Sequence, residues 1–289
     1  MIRSQTPFVP HTLQHLIDAH VFPTPLPEIA YNKMITDYEA VDDVEVSSIT
    51  YESDGLLITG LCALPKTIHK GAHPVLIYNR GGSGEYGKLT LINVLRSMVP
   101  FARAGYLVFA SNYRGNAGSE GVESFGDDDV HDVLNLLKIA KENAGFDGNN
   151  AFMLGHSRGG MMTFLAIKHG AAINAAIALA PVTNVHDMAA NAGMEERILK
   201  KRISGYADNP AKAITDRSVV DWPEAITVPT LLIHGDADKD VDVSHSKLLD
   251  ERLTVAHKLV IIEGGNHALY RHWDAVLAEC FDWLERYHA

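Results

Sequence analysis

The stretch Ala151-Phe152-Met153-Leu154-Gly155-His156-Ser157-Arg158-Gly159-Gly160 constrains the fold of this chain more than any other. An apolar run of strand type ends in Gly-His-Ser-Arg-Gly, and the following Gly160-Met161-Met162-Thr163-Phe164-Leu165-Ala166-Ile167 has the spacing of a buried helix. Strand, sharp turn and helix in direct succession force the middle residue into strained backbone geometry. They also require small neighbours, so that strand and helix do not collide. Ser157 then projects its hydroxyl at a helix N-terminus, where free N–H groups and the dipole favour developing negative charge. A serine nucleophile needs that setting, whereas the plainer reading is a serine that only caps the helix. The strand before it and the helix after it favour the nucleophile.

Around this stretch, strands alternate with helices. Short continuous apolar runs occur at Val75–Tyr78, Tyr106–Ala110, Ala151–Leu154, Ala175–Leu179, Thr230–Ile233 and Lys258–Ile262. Strands buried on both faces by crossover helices have this composition. Helical periodicity covers Leu89–Arg103, Asp128–Asn143, Gly160–His169, His245–Leu253 and His272–Tyr287. The expectation is an α/β fold with a mostly parallel, doubly wound sheet, whose chemistry lies beyond the carboxyl ends of its strands. Ahead of it, Val44–Tyr51, the turn Asp54-Gly55 and Leu56–Leu64 read as an antiparallel β-hairpin at the sheet edge. Residues 183–225 break the alternation with helical pieces and form a small cap-like insertion. Residues 1–40 read as an appendage, with a short helix at Thr12–Ala19 and an extended Pro-rich connector at Phe22–Pro27. This arm is a candidate for pairing subunits in a homo-oligomer or for covering the cleft.

The formal net charge of -11, from 25 Lys and Arg against 36 Asp and Glu, argues against nucleic acid or an anionic membrane as a partner. Cys62 and Cys280 are the only cysteines, which fits reduced thiols better than a disulfide framework. No signal peptide or membrane-spanning apolar run is legible, so the expected location is the cytoplasm. His11 and His15 are four apart on a helix but lack an acidic or Cys companion, and no metal is expected. The run Gly126-Asp127-Asp128-Asp129 opens a helix, where carboxylates are favoured by the dipole alone.

A nucleophilic Ser157 needs a base, a carboxylate to hold that base, and donors for an oxyanion. A carboxylate follows the strand Leu231–Ile233 in His234-Gly235-Asp236-Ala237-Asp238-Lys239-Asp240-Val241-Asp242, where four aspartates compete and the residues alone do not choose. The base comes from Glu263-Gly264-Gly265-Asn266-His267, a Gly-rich loop after the last strand. One oxyanion donor is the backbone N–H of Arg158, and the other belongs to the loop Asn79-Arg80-Gly81-Gly82-Ser83-Gly84. That loop lacks the endings of nucleotide-binding Gly motifs, and no cofactor is expected. Arg80 and Arg158 are also candidates for attracting a substrate carboxylate.

Together, Asn79-Arg80-Gly81-Gly82, Asn112-Tyr113-Arg114-Gly115, Gly155-His156-Ser157-Arg158-Gly159-Gly160, His234-Gly235-Asp236-Ala237-Asp238 and Asn266-His267 resemble an α/β-hydrolase, specifically the catalytic domain of the prolyl oligopeptidase family. The resemblance runs from about residue 44 to the C-terminus, and residues 41–289 are accordingly the expected catalytic domain. It implies that the acid is Asp238, and that the second oxyanion donor is in the Gly81-Gly82 pair, with Gly82 favoured. Arg80 departs from the family, whose members often carry His there, and the β-propeller that precedes this domain in the large oligopeptidases is not legible in residues 1–40. The resulting expectation is a serine hydrolase with a Ser157–Asp238–His267 triad, acting on a short peptide or small ester through an acyl-enzyme. A carboxylesterase, a non-catalytic binding module on the same fold, and acyl transfer to an acceptor other than water are the rivals.

Overall fold

The computed structural model describes residues 1–19 and 27–289, so the connector expected at Phe22–Pro27 lies, Pro27 apart, outside the described residues. The chain divides into two compact units, residues 1–123 with 131–150 and residues 124–130 with 151–289.

In the first unit, an Asp-Gly turn sets the strand register. Asp54 and Gly55 adopt φ of 51° and 80°, the left-handed pair whose twist matches a two-residue hairpin. The strands are β1 (Ile2–Pro7), β2 (Val44–Ser53), β3 (Leu56–Pro65), β4 (His73–Asn79) and β5 (Leu107–Ser111), in the spatial order β1-β2-β3-β5-β4. The pairs β1–β2, β2–β3 and β3–β5 are antiparallel, and β4–β5 is parallel. The hairpin is as expected, but β1 lies outside it and takes the edge. Residues 2–7 are therefore part of the sheet and not of a helical appendage. Because β1 is polar and exposed along almost its whole length, it has no apolar alternation by which a sequence reading could find it. A helix at Glu28–Glu39 was likewise not expected.

Every residue of β4 and β5 is buried, as their continuous apolar runs require. The helix expected at Leu89–Arg103 forms over Leu91–Arg103, with a π turn at Val94–Met98. Pro100 explains the irregularity: it has no N–H to give the preceding turn, and Val99 N reaches back to Val94 O instead.

The second unit holds β6 (Phe146–His156) from Ala151 onward, β7 (Ala175–Leu179), β8 (Thr230–Gly235) and β9 (His257–Ile262), in that spatial order and all parallel. Strands β7 and β8 are wholly buried. No residue of β9 is buried because it is the outermost strand of the unit, which corrects the expectation of burial on both faces. The insertion at 183–225 is helical, with α-helices at Val185–Ala190 and Pro210–Arg217 and shorter turns around them. Its start is tied down where Thr183 Oγ1 donates to the His245 carbonyl at 2.6 Å and Thr183 N donates to His245 Nδ1.

The first unit is held by a buried ion pair. Arg114 donates through Nη2 to Asp132 Oδ1 at 2.8 Å, and its backbone N donates to Oδ2 at 2.7 Å. Nη2 also reaches the exposed Asp54 at 2.8 Å. Burial pushes the Asp132 carboxyl up, only partly offset by Arg114. Burial opposes the Arg114 charge too, yet the hydrogen bonds it donates to the two carboxylates outweigh it and hold the guanidinium above its ordinary range. Removing one side strands a charge in the interior. Asp132→Ala should lower unfolding free energy by about 3–5 kcal/mol, and Asp54→Ala by less than about 1 kcal/mol, read from urea midpoints.

Candidate active site

The turn after β6 has the expected strain. Ser157 adopts φ 58° and ψ -123°, a region that costs a non-glycine residue about 1–3 kcal/mol. Three backbone hydrogen bonds hold it there. Ser157 N donates to Leu179 O at 2.8 Å, and Ser157 O accepts from Gly160 N at 2.9 Å and Val182 N at 3.1 Å. The small neighbours are needed: a Cβ on Gly155 would stand 2.1 Å from Gly159 O, and one on Gly160 2.5 Å from Pro181 Cβ. The helix Arg158–Lys168 begins at once, and Ser157 stays partly exposed at its N-terminus.

Geometry separates the four aspartates after β8. Asp236, Asp240 and Asp242 are exposed, whereas the Asp238 carboxylate is fully buried. Asp236 braces the neighbouring loop by accepting from Gly264 N at 2.7 Å, and Asp242 accepts from Ser244 N at the start of the helix Ser244–Asp250. Asp238 Oδ1 accepts from Asp240 N at 2.8 Å and Val241 N at 3.0 Å, while Oδ2 accepts from His267 Nδ1 at 2.7 Å. Burial by itself raises the Asp238 pKa, but the contacts with His234 and His267 more than offset it and hold the carboxyl well below the usual carboxylate range.

His267 follows β9 in a loop pressed against the acid loop. Ala237 N donates to Gly265 O at 3.0 Å, and a Cβ on Gly235 would come within 2.1 Å of that same oxygen. The far side of the loop is fastened by a residue the sequence reading had not used. His156 Nε2 donates to the His267 carbonyl at 2.9 Å, and the two rings stand 4.9 Å apart. His267 is thereby tied to the residue immediately before Ser157. Among the described residues, Ser157 Oγ and His267 share no hydrogen bond; catalytic bonds of this kind often tighten only around substrate.

Arg158 donates through Nη2 to the buried Asp129 at 2.6 Å and lies 4.6 Å over the Phe125 ring. Asp129 in turn accepts from Gly126 N and Asp127 N. The run Gly126–Asp129 therefore contains one structural counter-ion, while Asp127 and Asp128 remain exposed. In the other unit, Arg80 is wholly buried and donates through Nη2 to Asn112 O at 2.7 Å and through Nη1 to Gly81 O at 2.9 Å, with Tyr113 beneath it at 5.0 Å. Neither guanidinium is open to solvent, which corrects the idea that they attract a substrate carboxylate. Arg80 shapes the glycine loop instead: Gly82 has φ 74°, and a Cβ there would stand 2.2 Å from Tyr86 O.

Asp238, Asp240 and His267 bring potential cation ligands within 4.8 Å of one another. Both Asp238 oxygens already accept hydrogen bonds, one of them from the His267 ring itself. His15, the other metal candidate, lies 3.2 Å from Lys88 Nζ. No helix among the described residues is long and apolar enough to cross a membrane.

Parallel strands with crossover helices, antiparallel strands at the N-terminal side and a serine in a strained strand-to-helix turn define a serine hydrolase of the α/β-hydrolase fold. Residues 93–289 match the prolyl oligopeptidase family, and the chain belongs to that family. It is 31% identical over 218 residues to the uncharacterized peptidase YtmA of Bacillus subtilis (strain 168), covering 75% of this chain and 82% of that protein. The acylaminoacyl peptidase of Pyrococcus horikoshii shares the fold with a TM-score of 0.65 and 23% identity, over 82% of this chain and 39% of that one. This chain thus spans about two fifths of that peptidase's length. The acetyl xylan esterase from Paenibacillus sp. R4 shares the fold over 96% of this chain and 100% of its own, with a TM-score of 0.67 and 16% identity.

The depressed Asp238 carboxyl links stability to pH. Its folded pKa lies below the unfolded value of about 3.9, so its stabilising effect is complete above that value and is lost as pH falls through the folded one. Between about pH 5 and pH 2, the urea midpoint of wild type should fall more steeply than that of Asp238→Asn. Parallel slopes would show that the carboxylate contributes no such linkage.

Proposed function

We propose that this protein hydrolyses an ester or peptide bond through a covalent acyl-enzyme. Ser157 is the nucleophile, His267 the base and then the acid, and Asp238 the carboxylate that orients His267. The backbone N–H of Arg158, at the start of the helix that follows Ser157, is a proposed oxyanion donor. The observation that carries this reading is the 2.7 Å bond from His267 Nδ1 to the buried Asp238, on a loop whose His267 carbonyl is bonded to the neighbour of Ser157. A carboxylate only accepts, so Nδ1 carries the proton and Nε2 keeps the lone pair that takes the serine proton.

As Oγ bonds to the substrate carbonyl carbon, its proton passes to Nε2 and negative charge gathers on the carbonyl oxygen. Collapse breaks the C–N or C–O bond, and Nε2 returns its proton to the leaving group. Water then attacks the acyl-serine by the same route and releases the acid. Membership of a peptidase family favours a short peptide or aminoacyl amide. Esters present a better leaving group to the same machinery.

Wild type and Ser157→Ala are to be compared by fluorophosphonate labelling and by turnover of nitrophenyl esters and aminoacyl nitroanilides. Wild type should take up one label and cleave both substrate classes. Ser157→Ala should lose the label and at least about 10⁴-fold in kcat. Turnover that survives in Ser157→Ala would remove the nucleophile assignment. Ester cleavage alone would make the protein a carboxylesterase, and a folded wild type that takes no label would make it a binding module.

A further inference from the structure

Burying Asp238 creates a demand that His267 meets only in part, and a second histidine stands beside the same carboxylate. His234, in β8, is wholly buried. Its Nδ1 lies 2.7 Å from Ser246 Oγ, and its Nε2 lies 3.0 Å from Val241 O. Since a carbonyl only accepts, Nε2 carries a proton, and Nδ1 accepts a hydrogen bond from the Ser246 hydroxyl. The Nε2–H bond is directed to Val241, while the same nitrogen stands 3.2 Å from Asp238 Oδ2, the oxygen that accepts from His267. The partial positive charge of the His234 N–H therefore lies beside the carboxylate oxygen that also accepts from His267.

Two consequences follow from this placement. The ring ties the end of β8 to Val241, and Val241 N itself donates to Asp238 Oδ1. The turn that presents the acid is thus closed through His234. The ring also shares the negative charge of Asp238, so that less of it acts on His267. Among the described residues, Asp242 and His245 also feel the ring electrostatically, and His245 in turn faces Asp187 at 3.4 Å.

We propose that His234, locked in one tautomer by Ser246, is a positioning residue for the catalytic acid: it fixes the Asp238 turn and sets how strongly the Asp238–His267 pair binds a proton. The role rests on the acid–base assignment above. His234→Leu removes both the tie and the dipole, whereas His234→Gln places an amide N–H near the position of Nε2. Ser246→Ala leaves the ring and removes only the tautomer lock.

Removing a donor from a carboxylate raises the proton affinity of the coupled pair, so the acid limb of kcat/KM should move to higher pH. For His234→Leu the expected shift is about half a pH unit or more, with kcat down about tenfold or more and KM little changed. His234→Gln should recover most of both effects, and Ser246→Ala should shift the limb in the same direction by less. The downfield proton resonance of His267 Nδ1–H gives a readout that needs no substrate, and it should move in His234→Leu. If wild type labels and turns over at Ser157 while Ser246→Ala and folded His234 variants keep its kcat, acid limb and resonance, the inference is wrong and the function stands. Equal damage in His234→Gln and His234→Leu, confined to thermal stability, would reduce His234 to a packing residue. Label and turnover persisting in Ser157→Ala would remove the acid–base assignment, and this role with it.

Discussion

A carboxylate taken out of water must be satisfied on every side, and much of the second unit is arranged to do that for Asp238. Desolvating an unpaired ion costs several kcal/mol, far more than one hydrogen bond returns. Two backbone N–H groups of its own turn meet Oδ1, and His267 meets Oδ2. For these donors to converge, the loops after β8 and β9 must touch backbone to backbone, and only glycine permits that at position 235. Satisfying the charge and orienting the imidazole are therefore one structural event. The bond that helps to satisfy the buried Asp238 carboxylate is also the one that holds the His267 ring in one orientation.

This dependence explains what could be read in the sequence. The serine turn was legible because strained geometry, small neighbours and a helix start leave a joint signature in consecutive residues from Gly155 to Gly160. His267 was legible from its place after the last apolar run. The choice of Asp238 among four aspartates was not legible from the residues, since burial decides it, and burial depends on the distant loop that carries Gly265. Only the family resemblance pointed to it. The role of His234 has a faint local trace, a polar residue ending an otherwise apolar strand, but its partners Val241 and Ser246 become visible only once the turn has closed. Strand β1 left no trace at all. Its polar, exposed residues are held by backbone hydrogen bonds that any sequence can make.

Arginine is the residue type that sequence reading placed worst. A guanidinium in a loop after a strand suggests anion binding, yet three of the buried arginines, Arg80, Arg158 and Arg217, serve neighbouring backbone or a counter-ion instead. Arg80 spends its donors on carbonyls of Asn112 and Gly81, Arg158 on Asp129, and Arg217 on the carbonyls of Phe125 and Ser124. A planar, permanently charged group with five donors can satisfy several carbonyls at once, which suits it to fixing irregular backbone. Irregular backbone after strand ends is where an α/β fold carries its chemistry. Buried arginines near such a site can therefore report on the rigidity of its loops without touching a substrate.

Rigidity is also what keeps the serine turn from relaxing. Ser157 and Ala180 both hold left-handed φ after adjacent parallel strands, and each donates its N–H across to the next strand, Ser157 to Leu179 O and Ala180 to Ile233 O. The two strained residues are thus links in one hydrogen-bonded series from β6 through β7 to β8. Relaxing either conformation would break a buried backbone bond, at a cost comparable to the strain it relieved. The series ends on β8, whose next residues are His234 and Gly235 at the start of the acid turn. Backbone strain at Ser157 and the start of the Asp238 turn are carried by this one series of strands, so the sheet sets where the hydroxyl and the carboxylate stand, and the carboxylate in turn orients the His267 imidazole.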